Sequence, residues 1–228
     1  MRELAQRTHK SFVVVAPTGI AALNSKGVTI HSQFLLPLGT FLPVSDPSGN
    51  FSGNSSVITQ NTLARKHPLN AVRKRVLREI DLLVIDEVSM LRADVLDAID
   101  YRMRSVKRNF SQSFGGVQVL MIGDLFQLPP VVKEYEWQML RQYYHSAFFF
   151  DALALNEGFV YIELEKIFRQ KDQIFINVLN NLRNNQTTKE DIQLLNEYSK
   201  SEEERKKMGE IVTLTTHNSR AGDLNKHE

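Results

Sequence analysis

The chain has 228 residues, of which 42 % are hydrophobic and 24 % are charged, and its formal net charge is +2. This profile is ordinary for a globular protein with one large domain or two small ones, and the near balance of charge gives only weak support for a nucleic-acid partner. No run of about 18 apolar residues is present, so no membrane span is expected, and the absence of cysteine excludes disulfides and cysteine-based zinc sites.

The first predicted element is a strand over residues 11–16, which contains the continuous apolar run 12–15. Such a run is typical of a parallel strand that is covered on both faces. Residues 17–19, proline, threonine and glycine, then break the strand and open a turn. A short helix is predicted to follow over residues 20–24.

A loop-rich insertion is predicted over residues 40–60, where proline, glycine, serine and asparagine cluster. A basic helix over residues 70–79 closes it. Basic residues are concentrated in two stretches, 65–78 and 102–108, and charge alone favours the interpretation that both are solvated helix faces.

Two later strands end in polar side chains, and these strand ends are the most informative part of the chain. The apolar run 82–85 leads into Asp86 and Glu87, and a second apolar run leads into Asp124 and then Gln127. If the two strands are neighbours, the acids can hold Mg²⁺ and orient a water, and the amide can sense a terminal phosphate. The sequence therefore predicts a nucleotide-hydrolysis site at one edge of a sheet.

The remaining pattern alternates between helices and strands. Leu91, Val95, Ile99 and Met103 recur every four residues and predict a helix between the two strands of the site. Such alternation predicts an α/β fold with right-handed crossovers. The other predicted elements are strands over 117–123, 159–164 and 211–215, helices over 135–144 and 174–182, and a helix that starts at a capping box of Thr187 and Glu190.

Four segments of the chain together resemble the PIF-one-like DNA helicases, the RecD-related branch of superfamily 1B. These segments are APTGIAALN with GVTIHSQF (16–34), VIDEVSML (84–91), FGGVQVLMIGDLFQLPPV (114–131) and LEKIFRQ (164–170). They resemble, in order, the first DNA-contacting motif, the Walker B motif, and the third and fourth motifs of that family. One of them could arise by chance in another ATPase, but all four in this order are highly specific.

The resemblance implies roles for the residues that follow the two strands. Asp86 is expected to bind Mg²⁺, and Glu87 is expected to polarise the attacking water as the general base. Gln127 is expected to sense the γ-phosphate of ATP, with Asp124 supporting Gln127 or the metal shell. Arg169 resembles the arginine finger that reaches the γ-phosphate from the second motor domain, although outside this motif it would read as an ordinary surface arginine.

The resemblance also implies contacts with single-stranded DNA. The 17–19 turn is expected to offer backbone N–H groups and a hydroxyl to a phosphate, and His31 is expected to contact phosphate or base. Phe34 is either a base-stacking platform or a core residue. The residues assigned to DNA binding are Pro17, Thr18, Gly19, His31, Ser32, Phe34, Pro130 and Asn218.

The implied fold is a RecA-like parallel sheet of the P-loop NTPase type that lacks its first strand. Residues 1–34 and 71–158 are assigned to an incomplete first motor domain, 35–70 to a wedge-like insertion, and 159–228 to the start of a second motor domain. The chain contains no glycine-lysine-Ser/Thr sequence of a Walker A loop. We therefore expect a fragment that is inactive alone and in which two strands lose their shared neighbour.

The implied function is ATP- and Mg²⁺-dependent DNA unwinding in the 5′-to-3′ direction, in DNA repair, recombination or telomere and genome maintenance. The expected working form is a monomer on single-stranded DNA and DNA junctions, in the bacterial cytoplasm or in the nucleus or mitochondrion. The alternative is a non-catalytic single-stranded-DNA-binding or scaffold protein, a relic of a helicase. A third reading, an unrelated ATPase such as a clamp loader, is disfavoured by the strings IHSQF and QLPPV.

Overall fold

The computed structural model describes residues 10–45, 57–208 and 211–226, and the chain divides into two compact units between Ile162 and Glu163. Within the described residues, all strands belong to the first unit, and the second unit consists of helices and irregular segments. No helix in these ranges is long and apolar enough to cross a membrane. The assignment of two motor domains and an insertion stays a prediction.

Among the described residues, six short strands form two parallel sheets. They are β1 (Phe12–Ala16), β2 (Val28–Thr29), β3 (Thr40–Phe41), β4 (Val57–Ile58), β5 (Leu82–Ile85) and β6 (Gln118–Met121). The larger sheet has the order β2-β1-β5-β6, with every neighbouring pair parallel, and the smaller sheet pairs β3 with β4. The predicted α/β class with a parallel sheet is therefore confirmed.

Ten α-helices accompany these strands in the described ranges. They are α1 (Gly19–Asn24), α2 (Ile30–Phe34), α3 (Gln60–Lys66), α4 (Ala71–Glu79), α5 (Ala93–Lys107), α6 (Glu134–Leu140), α7 (Gln173–Arg183), α8 (Lys189–Glu197), α9 (Glu202–Lys207) and α10 (Asn218–Leu224). Helix α5 is the longest, and its residues Leu96, Ile99 and Met103 have no exposed surface. They belong to the same core cluster as Leu83 and Ile85 of β5, so the helix periodicity read from the sequence marks the core face.

Two of the predicted strands are wrong. Residues 159–164 and 211–215 have no regular structure, and Val160, Leu164 and Leu214 are at least 87 % exposed. A strand is stable only when its backbone N–H and C=O groups pair with a neighbouring strand. Neither segment has such a neighbour within the described part of the chain, and there β6 pairs with β5 alone.

The predicted capping box is one residue out of place. Helix α8 is capped by Thr188, whose Oγ1 accepts from Asp191 N at 3.1 Å, and Thr188 N donates to Asp191 Oδ2 at 2.9 Å. Asp191 also accepts from Asn181 Nδ2 of the preceding helix at 2.9 Å. This third contact favours Asp191 over Glu190 because one carboxylate then satisfies both the cap and the neighbouring helix.

The charge pattern predicted that the basic stretch 102–108 is a solvated helix face, and this is wrong for Arg102, although Arg108 is exposed. Arg102 is only 4 % exposed. Arg104 Nε donates to Asp100 Oδ2 at 2.7 Å, an i,i+4 ion pair on α5 that is mostly shielded from solvent. The number of basic residues in a stretch does not show whether a given arginine is buried or exposed. Both kinds can occur on the same helix, so the charge pattern could not identify the buried one.

Asp97 of α5 joins three segments of the first unit. Its Oδ2 accepts from the Tyr144 hydroxyl at 2.8 Å and from Leu153 N at 3.1 Å, and its Oδ1 accepts from Ala154 N at 2.9 Å. Burial raises the pKa of Asp97 to about 6, even though these three hydrogen bonds oppose the shift.

A pH-dependent stability difference is expected from Asp97. Between its ordinary pKa of about 3.9 and about 6, the folded protein keeps a proton that the unfolded chain has released. The stability that this proton contributes is present below that window and is lost as the pH rises through about 6. Urea unfolding of the wild type and of Asp97→Asn, which cannot titrate, should show the wild type losing stability relative to the variant between pH 4 and 7. A difference that does not change with pH would contradict the assignment.

Candidate functional site

The ends of β5 and β6 lie side by side in the larger sheet. The register pairs Ile85 with Met121. The pairing continues beyond the strands, because Ile122 N donates to Ile85 O at 2.8 Å and Val88 N donates to Ile122 O at 2.9 Å. The polar residues that follow the two strands therefore emerge at one edge, as the sequence predicted.

Asp86 and Glu87 form a tight turn at the end of β5. Glu87 has a left-handed backbone with φ 53°, a conformation that costs a non-glycine residue about 1 to 3 kcal/mol and recurs at functional sites. Its N–H donates to Asp86 Oδ1 at 3.0 Å. Both residues are partly exposed, so the turn presents two carboxylates to solvent at the edge of the sheet.

Gly123 allows the turn after β6 to approach the turn after β5. A Cβ atom on Gly123 would lie 2.9 Å from Val88 Cγ1, 3.0 Å from Val88 N and 3.1 Å from Ser89 N. Two of these three atoms are backbone, and Val88 N is already held by its bond to Ile122 O. Glycine is therefore required by the close approach of the two turns.

Gly123→Ala is expected to destabilise the folded protein by about 1–3 kcal/mol, because the added methyl group must push the two turns apart. Urea unfolding monitored by circular dichroism measures the loss. Gly19→Ala is the matched control, since a Cβ there would meet nothing within 4 Å, and its stability should remain near that of the wild type. Equal unfolding midpoints for Gly123→Ala and the wild type would show that the turns are not in contact.

Asp124 orients Gln127 in the turn after β6. Gln127 Nε2 donates to Asp124 Oδ2 at 3.2 Å, and Phe126 N donates to Asp124 Oδ1 at 3.1 Å. Gln127 N also donates to the Asp124 carbonyl at 3.0 Å. The turn thereby holds an exposed amide at the same edge as the two carboxylates of the β5 turn.

The side chains at the ends of β5 and β6 suit a metal ion that keeps several of its bound waters. Within the described ranges, no group of three or more His, Cys, Asp or Glu side chains could hold a metal ion by itself. Mg²⁺ typically binds through one or two carboxylates together with waters and substrate phosphates. Asp86 supplies a carboxylate of that kind, so this edge of the sheet fits a magnesium ion shared with a nucleotide.

Most of the predicted DNA-contacting residues of the first unit lie in or next to α1 and α2. Thr18 caps α1, since its Oγ1 accepts from Ala21 N at 3.2 Å, and Gly19 is exposed beside it. Ser32 is exposed on α2, and His31 is partly buried there.

The environment of His31 favours its neutral form. Burial lowers the pKa of His31, and the positive charge of Arg92 lowers it further, while Asp94 opposes the shift. A neutral imidazole offers one N–H donor and one acceptor rather than a positive charge. Any contact of His31 with DNA would therefore be a hydrogen bond rather than an ion pair.

The prediction that Phe34 stacks on a base is corrected by its position. Phe34 has no exposed surface and belongs to the core cluster of the first unit. A ring enclosed on all sides contributes packing energy but has no free face for a base. The structure agrees with the other prediction for Phe34, that it is a core residue.

The other assigned residues are dispersed along the chain. Pro17 and Pro130 are partly exposed in the first unit, and Arg169 is exposed in the second unit. Asn218 is the first residue of α10, and its side chain lies outside what the structure describes. The roles proposed for these residues stay predictions.

A buried ionic network next to His31 could not be predicted from the sequence. Arg92 Nη2 contacts Asp94 Oδ2 at 2.7 Å and Arg92 Nη1 contacts Glu136 Oε1 at 3.0 Å. Asp94 Oδ2 also accepts from Phe41 N at 3.0 Å, and Glu136 Oε1 accepts from Thr40 Oγ1 at 3.2 Å. The network ties β3 to α5 and to α6, the helix that follows the Gln127 turn. The sequence shows only that Asp94 lies in the first turn of α5. An acid at that position is equally explained by a favourable interaction with the helix dipole.

A parallel sheet with two acids after one strand and an acid–amide pair after its neighbour is the arrangement of RecA-like ATPase domains. The family model of the PIF1-like helicases matches residues 54–193, more than half of the chain. The chain belongs to the PIF1-like helicase family.

Curated relatives and solved structures give the extent of the similarity. The ATP-dependent DNA helicase PIF1 of Saccharomyces cerevisiae (strain YJM789) is 36 % identical over 177 residues, which cover 76 % of this chain and 18 % of the relative. Bacteroides Pif1 bound to ssDNA is 38 % identical with a TM-score of 0.81, covering 100 % of this chain and 49 % of that one. Bacteroides Pif1 with ADP-AlF3 and ssDNA is 38 % identical with a TM-score of 0.80, covering 99 % and 48 %. The chain therefore spans about half of these solved chains and about a fifth of the yeast relative.

Proposed function

We propose that this chain works in an ATP-dependent DNA helicase that moves 5′ to 3′ along single-stranded DNA. The observation that carries the proposal is the shared edge of β5 and β6, where Asp86 and Glu87 lie beside the Asp124–Gln127 turn. The relatives support it, because the yeast protein is called an ATP-dependent DNA helicase and Bacteroides Pif1 was solved with ADP-AlF3 and ssDNA.

At the nucleotide, Glu87 is the proposed general base. Its carboxylate would accept the proton of the water that attacks the γ-phosphate. Asp86 is proposed to hold Mg²⁺, which when bound neutralises the charge that develops on the phosphates. Gln127, held at 3.2 Å by Asp124, is proposed to donate to the γ-phosphate, so that the turn after β6 responds when that phosphate leaves.

At the DNA, the 17–19 turn, His31 and Ser32 are proposed to contact the strand through hydrogen bonds. Pro130 is proposed to shape the exit of the Gln127 turn along the DNA path, and Asn218 to contact a phosphate. Polar contacts of this kind position a protein on the backbone without reading sequence.

The proposed arrangement of the parts follows the family. Residues 1–34 and 71–158 would form part of a first motor domain, 35–70 a wedge that separates duplex DNA, and 159–228 part of a second motor domain that supplies Arg169 to the γ-phosphate. The proposed working form is a monomer on single-stranded DNA and DNA junctions, inside the cell, in repair or recombination.

A second candidate function is non-catalytic binding of single-stranded DNA. It rests on the exposed residues Gly19 and Ser32 at α1 and α2, which would contact a DNA backbone without any nucleotide. Both candidates predict that the chain binds an oligothymidylate, with an affinity that falls as salt rises.

ATP turnover separates the two candidates. The chain is extended at its N-terminus through a Walker A loop, and phosphate release is measured with and without single-stranded DNA. Turnover that DNA stimulates supports the helicase. An extended protein that folds and binds the oligonucleotide but hydrolyses no ATP would favour the binding function.

A further inference from the structure

Arg102 of α5 contacts residues near both ends of the proposed 35–70 insertion. Its Nη2 donates to Leu35 O at 3.1 Å and to His67 O at 2.6 Å. Leu35 ends α2 as its C-cap residue, and His67 ends α3 in the same way. One guanidinium therefore caps the C-termini of two helices at once, and these two points are where the chain enters and leaves the insertion.

The carbonyl groups around Arg102 explain how its positive charge can be buried. Carbonyl groups at a helix C-terminus lack partners within the helix and carry partial negative charge, so a cation beside them is stabilising. Among the described residues no carboxylate pairs with Arg102, and its Nε has no hydrogen-bond partner. Burial lowers the pKa of Arg102 to about 10, which still leaves it protonated at neutral pH. The two carbonyls are thus the partners that hold this charge.

The chain at Leu35 needs such support. Leu35 has a left-handed backbone with φ 49°, which costs a non-glycine residue free energy that neighbouring contacts must offset. The residues just before it, on α2, include His31 and Ser32. Arg73 also donates to the Ser32 carbonyl, so two arginines from different helices hold the C-terminal end of α2.

We propose that Arg102 is a positioning residue that closes the base of the 35–70 insertion and fixes α2 in the orientation in which it meets DNA; the DNA part rests on the proposed function. Arg102 is not proposed to touch the strand itself, because only 4 % of its surface is exposed. It acts through the backbone of Leu35 and His67.

The test uses the 228-residue chain and the variants Arg102→Met and Arg102→Lys. Arg141→Met is the control, because it removes the same charge from an exposed arginine. Affinity for a labelled oligothymidylate is measured by fluorescence anisotropy at several salt concentrations. Amide hydrogen exchange of residues 35–41 and 66–69 is measured without DNA, and circular dichroism confirms that each variant is folded.

Arg102→Met is expected to bind DNA about tenfold more weakly, since hydrogen bonds from a charged group are each worth enough to shift an equilibrium by about that factor. The slope of affinity against salt should not change, and exchange at both ends of the insertion should rise. Arg102→Lys keeps a charge near both carbonyls and should recover part of each effect. Arg141→Met should match the wild type.

Other outcomes overturn the proposal in distinguishable ways. A salt slope that falls by about 0.7 in Arg102→Met would mean a direct phosphate contact, and unchanged affinity and exchange would mean that Arg102 positions nothing. If Arg102→Met does not fold, Arg102→Lys decides by the same readouts. If the wild type binds no oligonucleotide, the proposed function fails together with the DNA part, and hydrogen exchange alone then decides whether Arg102 closes the insertion.

Discussion

Replacing Glu87 with glutamine is expected to lower ATP turnover by about 10²- to 10⁴-fold, the usual contribution of a general base. The test uses the chain extended through a Walker A loop, at saturating ATP and single-stranded DNA. Glutamine keeps the size and hydrogen-bonding reach of Glu87 but cannot accept the proton of the attacking water. DNA affinity should therefore stay close to that of the wild type, while phosphate release nearly stops.

The matched control for this variant is Glu134→Gln. Glu134 is exposed in the first turn of α6, so the same chemical change there should leave turnover unaltered. Full turnover in Glu87→Gln would show that another group accepts the proton. Equal loss in both variants would point to a general effect of charge rather than to catalysis.

Asp94→Ala is expected to destabilise the folded protein by about 3–5 kcal/mol, the range for breaking a buried ion pair by removing one partner. Asp94 is 1 % exposed. Burial raises the pKa of its carboxyl, and hydrogen bonds from Arg92 and Phe41 N oppose that shift. The substitution leaves Arg92 with Glu136 alone and deprives Phe41 N of its partner, so urea unfolding at pH 7 should show a much lower midpoint.

Glu134→Ala serves as the control for Asp94→Ala, since it also removes an acid from the first turn of a helix. At an exposed site this change should stay within about 0.5 kcal/mol of the wild type. If both substitutions have similar small effects, Asp94 stabilises the protein only through its interaction with the helix dipole. A large effect confined to Asp94→Ala identifies the ionic network as a structural link between β3, α5 and α6.

The strand ends of the candidate site could be read from the sequence because their signal is local. An apolar run followed at once by Asp86 and Glu87 specifies both a buried strand and the polar residues at its end, whatever the rest of the chain does. The same applies to the apolar run that precedes Asp124. Local sequence does not show that the two strands are neighbours in the sheet. The strand–helix–strand pattern nevertheless makes this the expected arrangement.

The parts that could not be read depend on contacts between distant residues. Nothing near Arg102 in the sequence indicates that Leu35 and His67 converge on it, and Arg92 meets Glu136 only through the fold. The position of Phe34 is undetermined from the sequence for the same reason, since an aromatic residue after a short strand has the same local pattern whether it is buried or exposed. The run 159–164 has strand composition, but a strand also needs a partner, and composition does not supply one.

The ends of β5 and β6 are proposed to share one Mg²⁺–nucleotide site. The most direct test titrates Mn²⁺, a paramagnetic substitute with similar oxygen ligands, into the extended chain with a non-hydrolysable ATP analogue. The broadening of amide resonances is then followed by nuclear magnetic resonance. Glu87 and Gln127 should broaden together, at the same Mn²⁺ concentration and only when the analogue is present. Broadening at one strand end without the other, or at neither, would show that the two strand ends do not share a metal–nucleotide site.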